Sequence, residues 1–263
     1  MKSTLDQIED IKNHGYDLDF SNVFNHAFEN YKKIALYAGL ILLVFGILAS
    51  FAGGGILISL YGIEHFNKEF FDGLKDQDYL PSTLIIYTIV IAFATAILSP
   101  FTAGFLKMAD CADKDIEFNV STIFTYYKAH YFTQLFIASL LIALLTGLIS
   151  IVFNLLEIVI IDGIINLAIA FFTSLTIPLI IFGNLNALDA IKSSSVIVTK
   201  QPITIILLFV VAGLASMVGF IGCCIGIVFT IPITYSVKYA MYNAILGVEE
   251  KEDSIDSIGK DLE

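Results

Sequence analysis

Six long segments that are almost free of charge dominate this sequence. They cover residues 34–60, 84–106, 133–153, 164–182, 203–221 and 223–241. About 20 helical residues cross the ~30 Å hydrocarbon layer of a membrane, and each segment has about that length. The segments also lack the strict polar and apolar alternation of barrel strands. The sequence therefore predicts an all-α fold: a polytopic membrane helical bundle with six transmembrane helices.

Composition and charge narrow the class of partners. The chain is 57% hydrophobic and 15% charged, whereas a soluble domain carries about 25% charged residues. Its net charge is −11, and every basic residue is a lysine. Nucleic-acid binding needs a basic face that neutralises phosphates, and no such run of bases occurs. Membrane lipids are the expected surroundings, and a nucleic-acid partner is not expected.

The lysines predict the orientation in the membrane. Twelve of the 14 lysines fall on one side of a six-span arrangement, and only Lys68 and Lys75 fall on the other. Positive charge is retained on the cytoplasmic side, so both termini are predicted to be cytoplasmic. Residues 1–33 are polar, and no cleavable signal peptide is expected there.

The chain divides into three predicted regions. Residues 1–33 form a cytoplasmic segment with an amphipathic helix, residues 34–247 form the membrane domain, and residues 248–263 form an acidic, disordered cytoplasmic tail. An external loop is expected at 61–82. The six spans are predicted to form three hairpins, each preceded by an amphipathic stretch that lies at the membrane interface.

Prolines occur at similar places in the second, fourth and sixth segments. Pro100, Pro178 and Pro232 should each kink a helix and free a carbonyl, which nearby hydroxyls can satisfy. Two interpretations remain open: hinges around a cavity, or structural kinks that let hairpins pack. The candidate kink or cavity positions are Pro100, Thr102, Thr176, Pro178, Asn184, Pro232, Thr234 and Tyr235. We also predict that these three spans form the inner layer, with Leu43 and Leu208 of spans one and five facing lipid.

Two acids lie between the third and fourth segments. Glu157 and Asp162 are candidate intramembrane acids, because carboxylates in an apolar setting are costly and often functional. Two interpretations are open: a proton- or ion-coupling role, or a position at the external interface.

Signatures of catalysis are missing from the sequence. The four histidines lie outside the six segments and lack the paired spacing of membrane di-iron enzymes. Ser193, Ser194 and Ser195 have no G-x-S-x-G context, and the glycines at 53–55 lack the lysine and hydroxyl of a phosphate loop. We predict no enzyme activity, no catalytic, cofactor-binding or metal-binding residue, and no cofactor.

Several motifs resemble one bacterial group. They are VFNHAFENYKK near the start, SPFTAGFLKMAD after the second segment, and ALDAIKSSSVIV through FIGCCIGIVFTIPITYSVKYAMYNAILG in the last third. This pattern resembles uncharacterised bacterial YciC-type inner-membrane proteins and the membrane domain of some glycerophosphoryl diester phosphodiesterases. The resemblance implies a six-span bundle in the bacterial cytoplasmic membrane. It does not imply phosphodiesterase activity, since no counterpart of the soluble catalytic domain is present.

Two functions follow as expectations. The first is a non-enzymatic scaffold or accessory subunit in the bacterial cell envelope or in lipid homeostasis, with a membrane-protein partner or a second copy of itself. The alternative is a small transporter or channel whose cavity is lined by the proline-kinked spans two, four and six. A mid-membrane cavity with converging polar side chains would favour transport, and a closed apolar bundle would favour the scaffold.

Overall fold

The computed structural model describes residues 3–62, 81–222 and 226–248, and every regular element in these ranges is helical. The α-helices are α1 (Thr4–His14), α2 (Phe20–Tyr61), α3 (Pro81–Asp113), α4 (Val120–Ile123), α5 (Ala129–Leu155), α6 (Val159–Phe172), α7 (Thr176–Ile181), α8 (Ala187–Lys200), α9 (Pro202–Met217), α10 (Gly226–Thr230) and α11 (Pro232–Leu246). Two 3-10 helices lie at Thr125–Tyr127 and Val218–Gly222. The predicted all-α class is confirmed.

Five helical segments are long and apolar enough to cross a membrane. They are Phe20–Ile56, Ser82–Asp113, Ala129–Leu155, Val159–Ile181 and Pro202–Ile221. These correspond to the first five predicted segments. The sixth predicted segment, 223–241, contains α10 and the first ten residues of α11, with Ile231 between them. Its first three residues lie outside the described ranges. The acidic tail beyond residue 248 and most of the predicted external loop also lie outside them.

Helix α2 joins an amphipathic segment directly to the first span. Its 42 residues extend about 63 Å, roughly twice the hydrocarbon thickness. The Asp19 side chain caps its start by accepting from the amide of Asn22 at 2.7 Å. At the other end Gly62 has φ +76°, and its amide bonds to the Ile58 carbonyl at 2.8 Å. The amphipathic helix that was predicted within residues 1–33 is therefore, from Phe20 onward, the first part of one continuous helix.

Pro100 lies inside α3 without ending the helix. A proline at this position cannot donate to the carbonyl four residues earlier, which belongs to Ala96. The Ser99 hydroxyl donates to that carbonyl at 2.8 Å. The predicted rescue of a freed carbonyl by a hydroxyl is thus confirmed at Pro100.

The other two prolines lie where the regular helical hydrogen bonding is interrupted. Helix α6 ends at Phe172 and α7 begins at Thr176, two residues before Pro178. The Ser194 hydroxyl, from α8, bridges this break: it donates to the Phe172 carbonyl at 2.7 Å and accepts from the Leu175 amide at 3.1 Å. Pro232 is the first residue of α11. The preceding Ile231 keeps helical dihedral angles, and its amide donates to the Ile227 carbonyl at 2.9 Å, so the backbone remains helical up to the proline.

Burial contradicts one part of the predicted layering. Leu208 is fully buried, at 0% exposure, so the prediction that it faces lipid is wrong. Helix α9 buries Ile205, Leu208 and Ala212, which share one face at helical spacing, while Ile203 on another face is 74% exposed. Apolar composition alone did not show which face of the fifth span packs inward.

A glycine lets α4 pack closely on α3. A Cβ atom built on Gly104 would lie 2.3 Å from the Ile123 carbonyl oxygen and 2.5 Å from the Ile123 Cα. Because both neighbours are backbone atoms, neither can move aside by changing rotamer. The glycine therefore sets the distance at which the short helix after span two returns to the bundle.

Candidate functional site

A cavity of about 650 Å³ lies among α3, α5, α6, α7 and α11. Its polar lining consists of Tyr87, Thr88, Thr95, Ser139, Thr146, Ser150, Asn154, Asn166, Thr173, Ser174, Thr176 and Lys238. Its apolar lining consists of Leu84, Ile91, Ala92, Ile142, Ala143, Gly147, Ile151, Ala170 and Ile177. This volume falls in the range of small-molecule sites, which is about 300–1,000 Å³.

Helices α3 and α5 form two antiparallel walls. A Cβ on Gly147 would lie 2.3 Å from the Thr88 methyl, which places these two residues at one level. The rings of Phe93 and Phe136, nearer the other end, are 6.0 Å apart. On α5 the hydroxyls of Ser139, Thr146 and Ser150 recur at helical spacing, so they share the face that lines the cavity.

The two predicted acids occupy different environments near one end of this cavity. Asp162 accepts from the Ser150 hydroxyl at 2.9 Å and from the Asn166 amide at 2.7 Å. Glu157 is exposed in the turn between α5 and α6, where its φ is +60°. The carboxylate of Asp162 is therefore bound to two residues that line the cavity.

Two buried hydroxyls in the cavity wall have no hydrogen-bond partner among the described residues. They belong to Ser174 and Thr176, and they flank Leu175 in the break between α6 and α7. Leaving a buried polar group unsatisfied costs about 1–3 kcal/mol. These hydroxyls can therefore be satisfied by a molecule in the cavity.

Lys238 is the only charged residue among the described residues that line the cavity. Its helix packs on the last turns of α3, where Tyr235 stacks on Phe105 at 4.9 Å. The lysine thus reaches the cavity from the end nearest Thr95. Lys238 is half-buried, and no described residue forms a hydrogen bond or ion pair with its ammonium.

The predicted cavity positions are only partly brought together. Thr176 lines the cavity, whereas Thr102 donates to the Ser99 carbonyl at 2.7 Å and Thr234 donates to the Ile231 carbonyl at 2.8 Å. Asn184 accepts from the Tyr131 hydroxyl at 3.1 Å, outside the cavity. Tyr235 stacks on Phe105, and Pro100, Pro178 and Pro232 are buried away from the lining.

The walls of the cavity therefore come from spans two, three and four, with one lysine from α11. Sequence reasoning missed Thr88, Ser139, Thr146, Ser150, Asn166 and Lys238. The sequence did contain a signal: hydroxyls recur along span three at intervals of seven and four residues, at Ser139, Thr146 and Ser150.

A second polar cluster lies at the C-terminal end of α3, where one buried carboxylate binds two lysines. Asp110 is 2% exposed, and its carboxylate binds the ammonium groups of Lys107 at 2.6 Å and Lys114 at 3.0 Å. Tyr126 packs nearby, and burial, with a smaller contribution from Asp110, raises the pKa of its phenol. A buried carboxylate needs such partners, because an unpaired charge in the interior is costly.

The same cluster ties α3 to α2 and α11. Asp113 binds His26 of α2 at 2.5 Å and accepts from the Tyr239 hydroxyl of α11 at 2.9 Å. Asn30 of α2 donates to the Ala109 carbonyl at 2.6 Å. These contacts hold three helices together at the lysine-rich end of the bundle, and they favour a structural role for the cluster.

Among the residues that the structure describes, no group of three or more His, Cys, Asp or Glu is arranged to hold a metal ion. Comparisons with protein-family models, curated proteins and solved structures find no match to this chain. The cavity and its chemistry are thus the basis for a functional proposal.

Proposed function

We propose that this is a six-span protein of the bacterial cytoplasmic membrane with both termini in the cytoplasm. The five long helices supply five spans, and α10 with α11 supplies the sixth as two helical pieces. The lysine distribution supports this orientation. Lys238 lies in the cavity wall, so eleven lysines remain on the predicted cytoplasmic side.

Within this arrangement the protein is a small transporter that binds its substrate in the cavity, without covalent chemistry. The observation that supports transport is the cavity of about 650 Å³ among the spanning helices, which is lined by hydroxyls, amides and one ammonium. In a bilayer, polar side chains turn toward protein or toward a water-filled space. A scaffold or accessory subunit needs no such cavity, and a closed apolar bundle would support it better.

Adjacent residues of α5 provide the test. Thr146 lines the cavity, whereas Leu145 is 52% exposed on another face of the same helix. The chain should first be freed of its three native cysteines. In membranes, T146C should then react with a water-soluble methanethiosulfonate at least tenfold faster than L145C.

The comparison discriminates between the two functions. Faster reaction of T146C than of L145C supports a water-filled cavity and hence transport. Equal, slow reaction of both cysteines would contradict an aqueous cavity and would favour the scaffold function over transport. A lipid-soluble maleimide supplies the control, because it should label L145C readily.

A further inference from the structure

We propose that the cavity binds the anionic headgroup of a membrane amphiphile, with Lys238 as the counter-charge and the hydroxyls of Ser174 and Thr176 as hydrogen-bond donors. The group recognised is an oxyanion, either a carboxylate or a phosphate. This inference rests on the proposed function and specifies the class of its substrate.

Lys238 brings a charge to the cavity for which the described protein supplies no counter-charge. Withdrawing an ammonium from water without a partner is unfavourable, and Lys238 is half-buried. Asp110 and Asp113 are engaged by Lys107, Lys114, His26 and Tyr239. The Asp162 carboxylate accepts hydrogen bonds from Ser150 and Asn166 at the other end of the cavity. No described acidic side chain lines the cavity. The partner that Lys238 lacks within the described protein is therefore an anion that enters the cavity.

Two hydroxyls in the cavity wall also lack a hydrogen-bond partner. Ser174 and Thr176 each have a buried hydroxyl oxygen without a described partner, and Thr176 is only 1% exposed. A hydroxyl can donate to an oxyanion, and hydrogen bonds to charged acceptors are about twice as strong as neutral ones. Carboxylate and phosphate carry several acceptor lone pairs, so one headgroup can accept from more than one donor in the cavity wall.

The apolar surroundings of the cavity favour an amphiphile over a soluble anion. A second, apolar groove of about 360 Å³ adjoins the cavity and shares Thr88 and Ile151 with it. Its other walls are Ile85, Ile89, Phe93, Leu144 and Leu148. Ile91 of the cavity wall is 63% exposed, so the site opens sideways where acyl chains would surround the bundle. A charged head beside an apolar groove fits a fatty acid or an anionic lipid.

The test uses the full chain in dodecyl maltoside and two probes with the same acyl chain. Native mass spectrometry should measure binding of oleate, which is anionic, and of monoolein, which is neutral. We expect oleate to bind at least tenfold more tightly than monoolein. The K238Q variant should lose most of that difference, while K200Q, at the exposed end of α8, should keep it.

Further variants keep the test independent of one substitution. K238M replaces the ammonium with an apolar chain of similar length, and T176V removes one hydroxyl at nearly constant volume. Both should weaken oleate binding and leave monoolein binding unchanged, with helicity by circular dichroism as the check on folding. Oleate binding that is unchanged in K238Q, K238M and T176V would overturn the proposal.

Two further measurements distinguish a lipid anion from a soluble anion, and a failure of the anion inference from a failure of the transport proposal. Sodium acetate and sodium phosphate should compete with oleate only above millimolar concentrations. Competition by either at micromolar concentration would overturn the amphiphile assignment in favour of a soluble anion. If oleate and monoolein bind equally while T146C still reacts with the aqueous reagent, the anion inference fails and the proposed transport function stands.

Discussion

The Ser194 hydroxyl accepts a hydrogen bond from the Leu175 amide at 3.1 Å, across the break between α6 and α7. The same hydroxyl donates to the Phe172 carbonyl at 2.7 Å, so one side chain satisfies a donor and an acceptor of the interrupted span. Ser194 is fully buried, and water cannot replace it without opening the packing. Ser194, the middle residue of the three serines in α8, therefore has a structural role.

Replacing Ser194 with alanine should lower the free energy of unfolding by about 1–3 kcal/mol, because the buried Leu175 amide and the part-buried Phe172 carbonyl lose their partner. The matched control is Ser195→Ala, whose hydroxyl only donates to the Ile191 carbonyl within its own helix at 3.2 Å. That control should change stability by less than about 0.5 kcal/mol. Unfolding in detergent, followed by circular dichroism, measures both variants. Equal stability of the two would contradict the bridging role.

Asp110→Asn should destabilise the bundle by about 2–4 kcal/mol, since it leaves Lys107 and Lys114 without their shared carboxylate. The control is Asp115→Asn: that carboxylate is 83% exposed and pairs with Lys33 at 2.6 Å. A solvent-exposed pair contributes about 0–1 kcal/mol. Thermal unfolding of the two variants in the same detergent provides the comparison. A loss at Asp110 no larger than at Asp115 would mean that the buried cluster does not hold α3 in place.

Gly104→Ala should cost about 1–3 kcal/mol, because the new methyl group meets the Ile123 backbone and α4 must move away. Gly213→Ala should behave in the opposite way. No atom lies within 4 Å of a Cβ at Gly213, and alanine is favoured over glycine in a helix by about 1 kcal/mol. Measured melting temperatures should therefore fall for the first variant and hold or rise for the second. A stable Gly104→Ala protein would show that the approach of α4 is not set by this glycine.

The proposed topology predicts opposite labelling of exposed helix ends. Cysteines at Ser82 and Glu157 should react with a membrane-impermeant maleimide in intact cells, in a background without the native cysteines. A cysteine at Lys192, exposed on α8, should react only after the membrane is permeabilised. Labelling of Lys192→Cys in intact cells would refute the placement of both termini inside.

The fold class and five of the spans followed from the sequence because each depends on local composition. A run of about 20 apolar residues specifies a span wherever its neighbours lie. The rescue of the carbonyl freed by Pro100 was also local, since Ser99 is the adjacent residue. The sixth segment was less regular than its composition indicated, and Ile231 separates α10 from α11.

The cavity could not be predicted from the sequence, because it depends on contacts between helices that are distant along the chain. Which faces of α3 and α5 meet is set by packing, and Leu208 shows that apolar residues alone do not reveal the outward face. Lys238 appeared in the sequence as a charge at the end of a span, because counting lysines ignores where a side chain points. The contact between Asp113 and Tyr239 joins residues 126 positions apart, whose register no periodicity fixes.

The bridge made by Ser194 also has a consequence for the order of events during synthesis. Ribosomes add about 5–20 residues per second, so Ser194 follows Phe172, 22 positions earlier, by about one to four seconds. During that interval the interrupted fourth span has no hydroxyl to join its halves. We therefore expect this span to reach its final position only after α8 has docked. Nascent chains stalled before residue 187 should leave a cysteine at Thr176 open to aqueous reagents, and chains extended well beyond residue 200 should protect it.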